Sequence, residues 1–306
     1  LKSLNFFKNV RSEILEGTNS TQKIINLSVE EKPTGEISAG AGVGSDGGSV
    51  GFGIQENNFL GRGIQFGTNL TISSESIKGL VSINNPNYKG TNRSLNFNLQ
   101  SIATDRMTNY GYKSNKHGFE IGSGFEYYDD FFVNLGLSTY AETIKTDSSA
   151  SASIKKQKGS FFDTYLNYTL DYDKRNQKFR TSNGYRSKFK QSIPVVSDSF
   201  ALKNSYDYKV YGEWLDENVA SFGFFASGVN SLAGKDVKLS DRLFVPISKL
   251  RGFESGKVGP MDGADFIGGN YTTGVNISST IPQILPNSDN TNFSIFLDAA
   301  NIWGVD

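Results

Sequence analysis

The sequence contains no cysteine and a single histidine in 306 residues. The first absence removes any disulfide framework or thiolate metal site, and together the two remove a His/Cys metal cluster. A Ser–His nucleophile would have to use His117, which sits with Lys113 and Lys116 in a segment, 105–117, that reads as a loop. An excess of one charge is missing too. Thirty-one Lys+Arg balance 31 Asp+Glu, which leaves nothing to steer a nucleic acid. No run approaches the roughly 18 apolar residues of a transmembrane helix. No signal-peptide pattern opens the chain, and Leu1-Lys2-Ser3 reads as the interior of a domain. Methionine (2), tryptophan (2) and proline (7) are scarce. These absences assign no catalytic residue, no metal and no cofactor, and the chain reads as a non-enzyme.

What is present is glycine (33), phenylalanine (23) and tyrosine (14), a profile suited to strands. Period-2 alternation dominates from Thr34 onward. Ile64, Phe66, Leu70 and Ile72 alternate with Gln65, Gly67, Asn69 and Thr71; Phe162, Leu166, Tyr168 and Leu170 alternate with Asp163, Asn167, Thr169 and Asp171. Such alternation keeps mean hydropathy low, yet it is the pattern of a transmembrane barrel with apolar side chains outward and polar ones inward. About thirteen strands of this kind follow one another with no long crossover. The connections at 57–61, 85–90, 129–130, 215–218 and 283–290 are short, and those at 105–117, 146–158 and 233–267 are long. Short turns at one end and long loops at the other fit an outer-membrane barrel. Tyr127, Tyr128, Phe131, Tyr172, Tyr185, Tyr206, Tyr208 and Trp214 fall near strand ends, as interfacial girdles do. A soluble β-sandwich is the bland alternative, and strands of about ten residues in a meander fit it less well.

Residues 1–33 differ. Leu1–Phe7 reads as the last turns of an amphipathic helix. Val10–Leu15 and Lys23–Glu31 read as strands around a Gly17-Thr18-Asn19-Ser20 turn, the tail of a small α+β domain ending at Pro33. The expected organisation is therefore 1–33, then an all-β antiparallel barrel over 34–306.

Three segments stand out. The long segment 233–267 carries a cation between apolar neighbours, Leu250-Arg251-Gly252-Phe253. A loop of this length is functional or disordered as a rule. An acid suited to pair with Arg251 lies at Asp298 on a strand pattern, so the loop is expected to fold back into the barrel, where a guanidinium can hold a carboxylate through two hydrogen bonds. The first barrel strand, 35–44, contains Gly35, Ser38, Ala39, Gly40, Ala41, Gly42 and Gly44. Its Gly40-Ala41-Gly42-Val43-Gly44 run resembles a phosphate-binding loop but no helix follows, so that reading fails its context. Either the glycines make a weak edge, or they relieve crowding in a curved seam. Lys155, Lys156 and Lys158 form a basic run suited to solvent or a lipopolysaccharide surface, and Asp129-Asp130 reads as a solvated turn.

These residues resemble the barrel-assembly family typified by BamA, within the superfamily that also holds TamA and the two-partner secretion transporters. Leu4–Val10 resembles the end of a last POTRA domain, and Gly48–Gly63 the second barrel strand with its turn. Leu250-Arg251-Gly252-Phe253, followed by Gly259-Pro260 and Gly268-Gly269-Asn270, is similar to the family's loop-six signature. Phe296–Trp303 resembles its thirteenth strand, whose aspartate faces the loop arginine. Ser278 stands where some relatives carry a second acid. The resemblance implies a sixteen-strand barrel, of which about thirteen strands are present, preceded by a POTRA remnant on the periplasmic side of the bacterial outer membrane. It implies folding and insertion of barrel proteins through a seam at the first strand. It further implies unfolded outer-membrane barrel clients, accessory assembly lipoproteins and outer-membrane lipid as partners, with no nucleic acid and no cofactor. A TamA-like or two-partner-secretion translocation pore is the alternative, and a passive pore is a third reading that strong, steady conductance would single out.

Overall fold

The computed structural model describes residues 6–19, 22–44, 47–107, 111–215, 218–254, 256–263, 265–281 and 293–306. Two strands, β1 (Phe7–Glu16) and β2 (Lys23–Glu31), pair antiparallel in a sheet of their own. The helix expected at Leu1–Phe7 lies largely outside the described residues, and Phe7 itself opens β1. Next come β3 (Gly35–Gly44), β4 (Gly47–Phe59), β5 (Ile64–Ser73), β6 (Ser76–Asn85), β7 (Arg93–Arg106), β8 (Tyr112–Tyr128) and β9 (Phe131–Thr146). A short helix, α1 (Ala152–Lys155), precedes β10 (Gly159–Asp173), β11 (Gly184–Ser197), β12 (Ala201–Leu215) and β13 (Asn218–Ser231). After a long loop that contains the small hairpin β14 (Met261–Asp262) and β15 (Asp265–Phe266), the wall resumes with β16 (Tyr271–Ile281) and β17 (Phe293–Trp303). Strands β3 to β13, β16 and β17 form one antiparallel sheet of thirteen strands in chain order, with β3 and β17 at its edges.

The count of thirteen matches the sequence pattern, but two expectations are corrected. Residues 105–117 are not a loop: β7 runs to Arg106 and β8 begins at Tyr112, so His117 lies within a strand, with Nδ1 2.9 Å from the Ser101 hydroxyl. Paired lysines and asparagines at strand ends mask the β signal, because polar side chains there need not alternate with apolar ones. The separation of short from long connections is also only partial. At the end that carries the long loop, the connections before β6 and β12 are tight, whereas 174–183 at the opposite end is ten residues long. That stretch is ordered by its own polar groups. Arg175 forks onto Asp173 (2.7 Å twice), and the Asn176 carboxamide accepts the backbone N–H groups of Ser182 and Asn183.

Register decides which side chains share a face, because directly opposed residues in an antiparallel pair point the same way. Asp163 on β10 bonds Lys238 of the long loop, so its face is the inner one. Asn167 follows on that face and donates to the buried Ser138 hydroxyl (2.8 Å). Stepping across the pairs β10–β9, β9–β8, β8–β7, β7–β6, β6–β5 and β5–β4 places Glu126, Asn98, Asn69 and Gln65 on the same side. Phe66, Leu70, Phe97, Phe125 and Leu166 take the other, and their neighbour Phe162 is 46% exposed. Toward the far edge, Asn276 points inward, onto the loop carbonyl of Lys249 (2.7 Å), and Ile277 outward. An outward apolar face half open to its surroundings is what lipid requires. At the end away from the long loop a chain of rings crosses the outside: Tyr128 stacks on Phe131 (4.7 Å), and Tyr172, Tyr185 and Tyr208 continue the row with centroids 5.7 to 6.2 Å apart.

The facing is testable. Leu166→Arg is expected to destabilise the membrane-folded barrel by about 2–4 kcal/mol, and Asn167→Arg, one residue along, by well under half of that. Denaturant titration of the barrel folded in vesicles measures both, and equal costs would reverse the assignment.

Candidate functional site

The long loop between β13 and β16 lies against the inner wall and is fastened there at two places. The first was expected. Arg251 forks onto Asp298 of β17, with Nε donating to Oδ2 and Nη2 to Oδ1, both at 2.7 Å, while its backbone N–H donates to Oδ2 at 3.0 Å. Asn276 of β16 donates to Asp298 Oδ1 (2.9 Å), so the carboxylate accepts from four donors in all. The guanidinium also sits 3.6 Å above the Phe296 ring. Such a planar fork over an aromatic face is a role that lysine cannot fill. Asp298 is almost fully covered, whereas Arg251 retains about a third of its surface.

The neighbours of Arg251 divide. Leu250 is buried with Phe225, Val245 and Ile302, an apolar plug between loop and wall. Gly252 has φ of +87°, a conformation that side-chain-bearing residues rarely adopt. Phe253 is 56% exposed and takes no part in the plug. Downstream, Gly259 is required by contact: a Cβ there would lie 2.1 Å from the Ile302 side chain. Gly269 exchanges backbone hydrogen bonds with Leu243, and a Cβ on it would press on the Trp303 carbonyl. Ser278 bonds Ser221 on the neighbouring strand (2.8 Å) rather than Arg251.

The second fastening was not anticipated. Lys238 is almost fully buried and its ammonium meets Asp163 of β10 at 2.8 Å, Glu142 of β9 at 2.9 Å and, more distantly, Asp241 at 3.8 Å. Lys203 of β12 closes on Asp241 at 2.5 Å, and Ser240 donates to Glu142. The hydroxyls of Ser197 and Ser199 donate to the second oxygen of Asp163. Burial acts to lower the Lys238 pKa, but Asp241, Glu142 and Asp163 outweigh it and hold the group above its ordinary value. In the sequence, Asp163 is visible as an inward strand position. Nothing there marks Lys238 as its partner, 75 residues away. The hairpin β14–β15 grips the loop between β9 and β10: the Asp262 carboxylate accepts the backbone N–H of Ser153 (2.9 Å), which together with its hydroxyl holds that carboxyl below the usual range.

The first-strand residues lie at the edge. Among the described residues β3 pairs with β4 alone, in register from Gly35 opposite Glu56 to Gly44 opposite Gly47. Ser38, Gly40 and Gly42 fall on the inner face; Ala39 and Ala41 fall outward with Ile37 and Val43, which are 86% and 92% exposed. A Cβ at Gly40 would meet nothing within 4 Å, and at Gly42 only the Ser49 hydroxyl at 3.9 Å. Packing against β4 does not demand these glycines. Among the described residues no group of three or more His, Cys, Asp or Glu is placed to hold a metal.

Three outcomes test the fastenings. In a double-mutant cycle, Arg251→Ala and Asp298→Ala should show a coupling of about 0.5–3 kcal/mol rather than additive losses, read from unfolding of the purified barrel. Lys238→Met leaves two buried carboxylates facing each other, and is expected to cost about 3–5 kcal/mol and to open the loop to protease. Because the folded pKa of Lys238 is raised, its contribution is complete below the unfolded value of about 10.4 and fades as pH climbs through the folded one. The loop should resist protease at neutral and mildly alkaline pH and yield only in strong alkali.

The comparisons agree with this architecture. The family model for the Omp85 superfamily domain matches residues 58–306. An outer membrane protein assembly factor BamA from Neorickettsia risticii is 25% identical over 99% of this chain and 42% of its own length. The sorting and assembly machinery component 50 homolog of Bos taurus is 20% identical over 78% of this chain and 52% of its own. The chain thus spans about half or less of these curated relatives. The crystal structure of BamA from Haemophilus ducreyi lacking POTRA domains 1–3 superposes with a TM-score of 0.87 at 22% identity, over 99% of this chain and 64% of that one. CdiB from Acinetobacter baumannii reaches a TM-score of 0.56 at 14% identity, over 98% and 56%. With its thirteen-strand wall and inward-folded loop, this chain belongs to the Omp85 superfamily.

Proposed function

We propose that this chain is the membrane part of a barrel-assembly factor, which folds and inserts β-barrel proteins into the bacterial outer membrane through the edge of β3. The observation that carries the reading is the make-up of β3, a strand poor in side chains with room at Gly40 and Gly42. A closed barrel removes its edges. A first strand with so little to pack can part from its seam, and it then offers backbone N–H and C=O groups to a client. Each glycine in a strand costs roughly 0.5–1 kcal/mol relative to alanine, so closure along β3 is weak. A client strand can pair with such an edge whatever its side chains, because main-chain hydrogen bonds supply the affinity. The names of the relatives, one an outer membrane protein assembly factor and the other a sorting and assembly machinery component, support the same reading.

In this scheme the loop is a strut. It occupies the inner space and ties β9, β10 and β12 to β17. A wall that must open at one edge then keeps its shape elsewhere. The β1–β2 sheet is the end of a last POTRA domain on the periplasmic side, and unfolded barrel proteins reach β3 from there. Accessory lipoproteins and outer-membrane lipid complete the set of partners. The process uses strand exchange, with no chemical step, no cofactor and no nucleic acid.

Because the chain has no cysteine, single cysteines report cleanly. Cysteines placed at Ser38, Ala39 or Ala41 are expected to form disulfides with cysteines in the terminal strand of a stalled client barrel. A cysteine at Asn98, on an interior strand, should form none. Equal crosslinking from both places, or none from 38–41, would sink the proposal.

A further inference from the structure

The outer face of β7–β10 changes character along its length. One outward row across these strands is Phe97, Ile121, Leu137 and Leu166, wholly apolar. The aromatic belt marks one limit of the apolar band, at Phe131 opposite Tyr172. Ten residues along β9 from Phe131 lies Ala141. At about 3.4 Å per residue and a tilt of about 40°, that is about 25 Å, the full height of an outer-membrane barrel's apolar band. Two further outward rows lie beyond it. Asn115 and Thr143 face each other in the first, with Ser160 alongside; Lys113 faces Lys145 in the second, with Asp105 alongside. These rows therefore stand at the level of the lipid headgroups, at the end of the wall that carries the long loop.

The local chemistry is unusual for this wall. Among the described barrel-strand residues, outward charges at this end are confined to Asp105, Lys113 and Lys145. Lys113 pairs with Asp105 at 2.5 Å, while both remain about half exposed. Lys145 is exposed and makes no ion pair with a described residue. The side chains border a depression of about 350 Å³ that also takes in Asn115, Thr143 and the carboxylates of Asp105 and Glu75. The first carboxylate is paired with Lys113 and the second with Arg106, so that Lys145 is the depression's unpaired charge among the described residues. The next loop along this rim adds the exposed Lys155, Lys156 and Lys158. Two ammonium groups with a carboxamide and a hydroxyl beneath them make a donor set for an oxyanion, and lysine binds phosphate as a point charge. The apolar rows directly below provide for the acyl chains of the same molecule.

We propose that Lys113 and Lys145, with Asn115 and Thr143, form a binding ledge for the phosphate of an anionic lipid headgroup on the outside of β7–β9. This deepens the proposed function, which counts outer-membrane lipid among the partners. It rests on that reading only in requiring that the outer face meet lipid, which the Leu166→Arg comparison tests separately.

The full-length protein in nanodiscs provides the test. Discs of zwitterionic phosphatidylcholine are doped with phosphatidylglycerol in one arm and with diphosphoryl lipid A in another. Co-released lipid is then counted by native mass spectrometry. The wild type should retain the anionic lipid over phosphatidylcholine in at least one arm. The Lys113→Gln/Lys145→Gln double variant should lose that preference at least threefold, and Lys78→Gln, an inward cation on β6, should not. Millimolar inorganic phosphate should not compete. Equal retention by wild type and double variant, an equal loss in Lys78→Gln, or displacement by free phosphate would each overturn the ledge. The variants remain interpretable because both substituted side chains are exposed and their removal leaves no buried charge.

Discussion

The structure depends on the burial of opposite charges between one loop and the inner wall. Lys238, Lys203, Glu142, Asp163 and Asp241 are brought together from four separate segments, largely out of contact with water. Exchange of such a cluster for apolar residues need not weaken a fold. Its value here is positional. An apolar loop can slide on an apolar wall at little cost, whereas an ammonium between two carboxylates has one low-energy place. The bidentate Arg251–Asp298 pair applies the same constraint 13 residues further on, against a different part of the wall.

The two fastenings divide the wall into a held region and a free one. Strands β9, β10, β12, β16 and β17 each carry a side chain bound to the loop. Among the described residues, the ion pairs of Lys238, Asp241, Lys249 and Arg251 reach none of strands β3 to β6. The glycines of β3 and β4 lie in the free region; a Cβ at Gly40 or Gly48 would meet nothing within 4 Å, whereas one at Gly53 would press on the side chains of Asn69 and Ser38. Rigidity is thus concentrated where the loop is bound, and the edge is left with little side-chain packing to hold it shut.

The outer face carries a gradient of its own. Its apolar rows are bounded by rings at one end and by polar and charged rows at the other, a spacing that matches the thickness of an outer membrane's apolar layer. The polar rows are why His117 and its neighbours read as a loop from sequence. Polar residues on both faces of a strand erase the alternation on which such a reading rests.

Much of this was settled by the order of residues alone. Period-2 alternation with a side-chain repeat of two leaves a strand only one way to face, so Leu166 outward and Asn167 inward followed directly from the chain, as did the number of strands. The bounds of β3 and the pairing of Arg251 with Asp298 were legible as well, the latter because a charge flanked by Leu250 and Phe253 makes little sense in free solution. Tertiary structure alone decided the rest. Phe253 shares that apolar composition yet stays exposed, since the turn at Gly252 sends it away from the plug. The Lys238 cluster joins residues up to 98 positions apart, counting the Ser240–Glu142 bond. No local pattern encodes such contacts, because they arise only when a loop with its own polar sequence is laid across a wall whose inward positions happen to be acidic at that height.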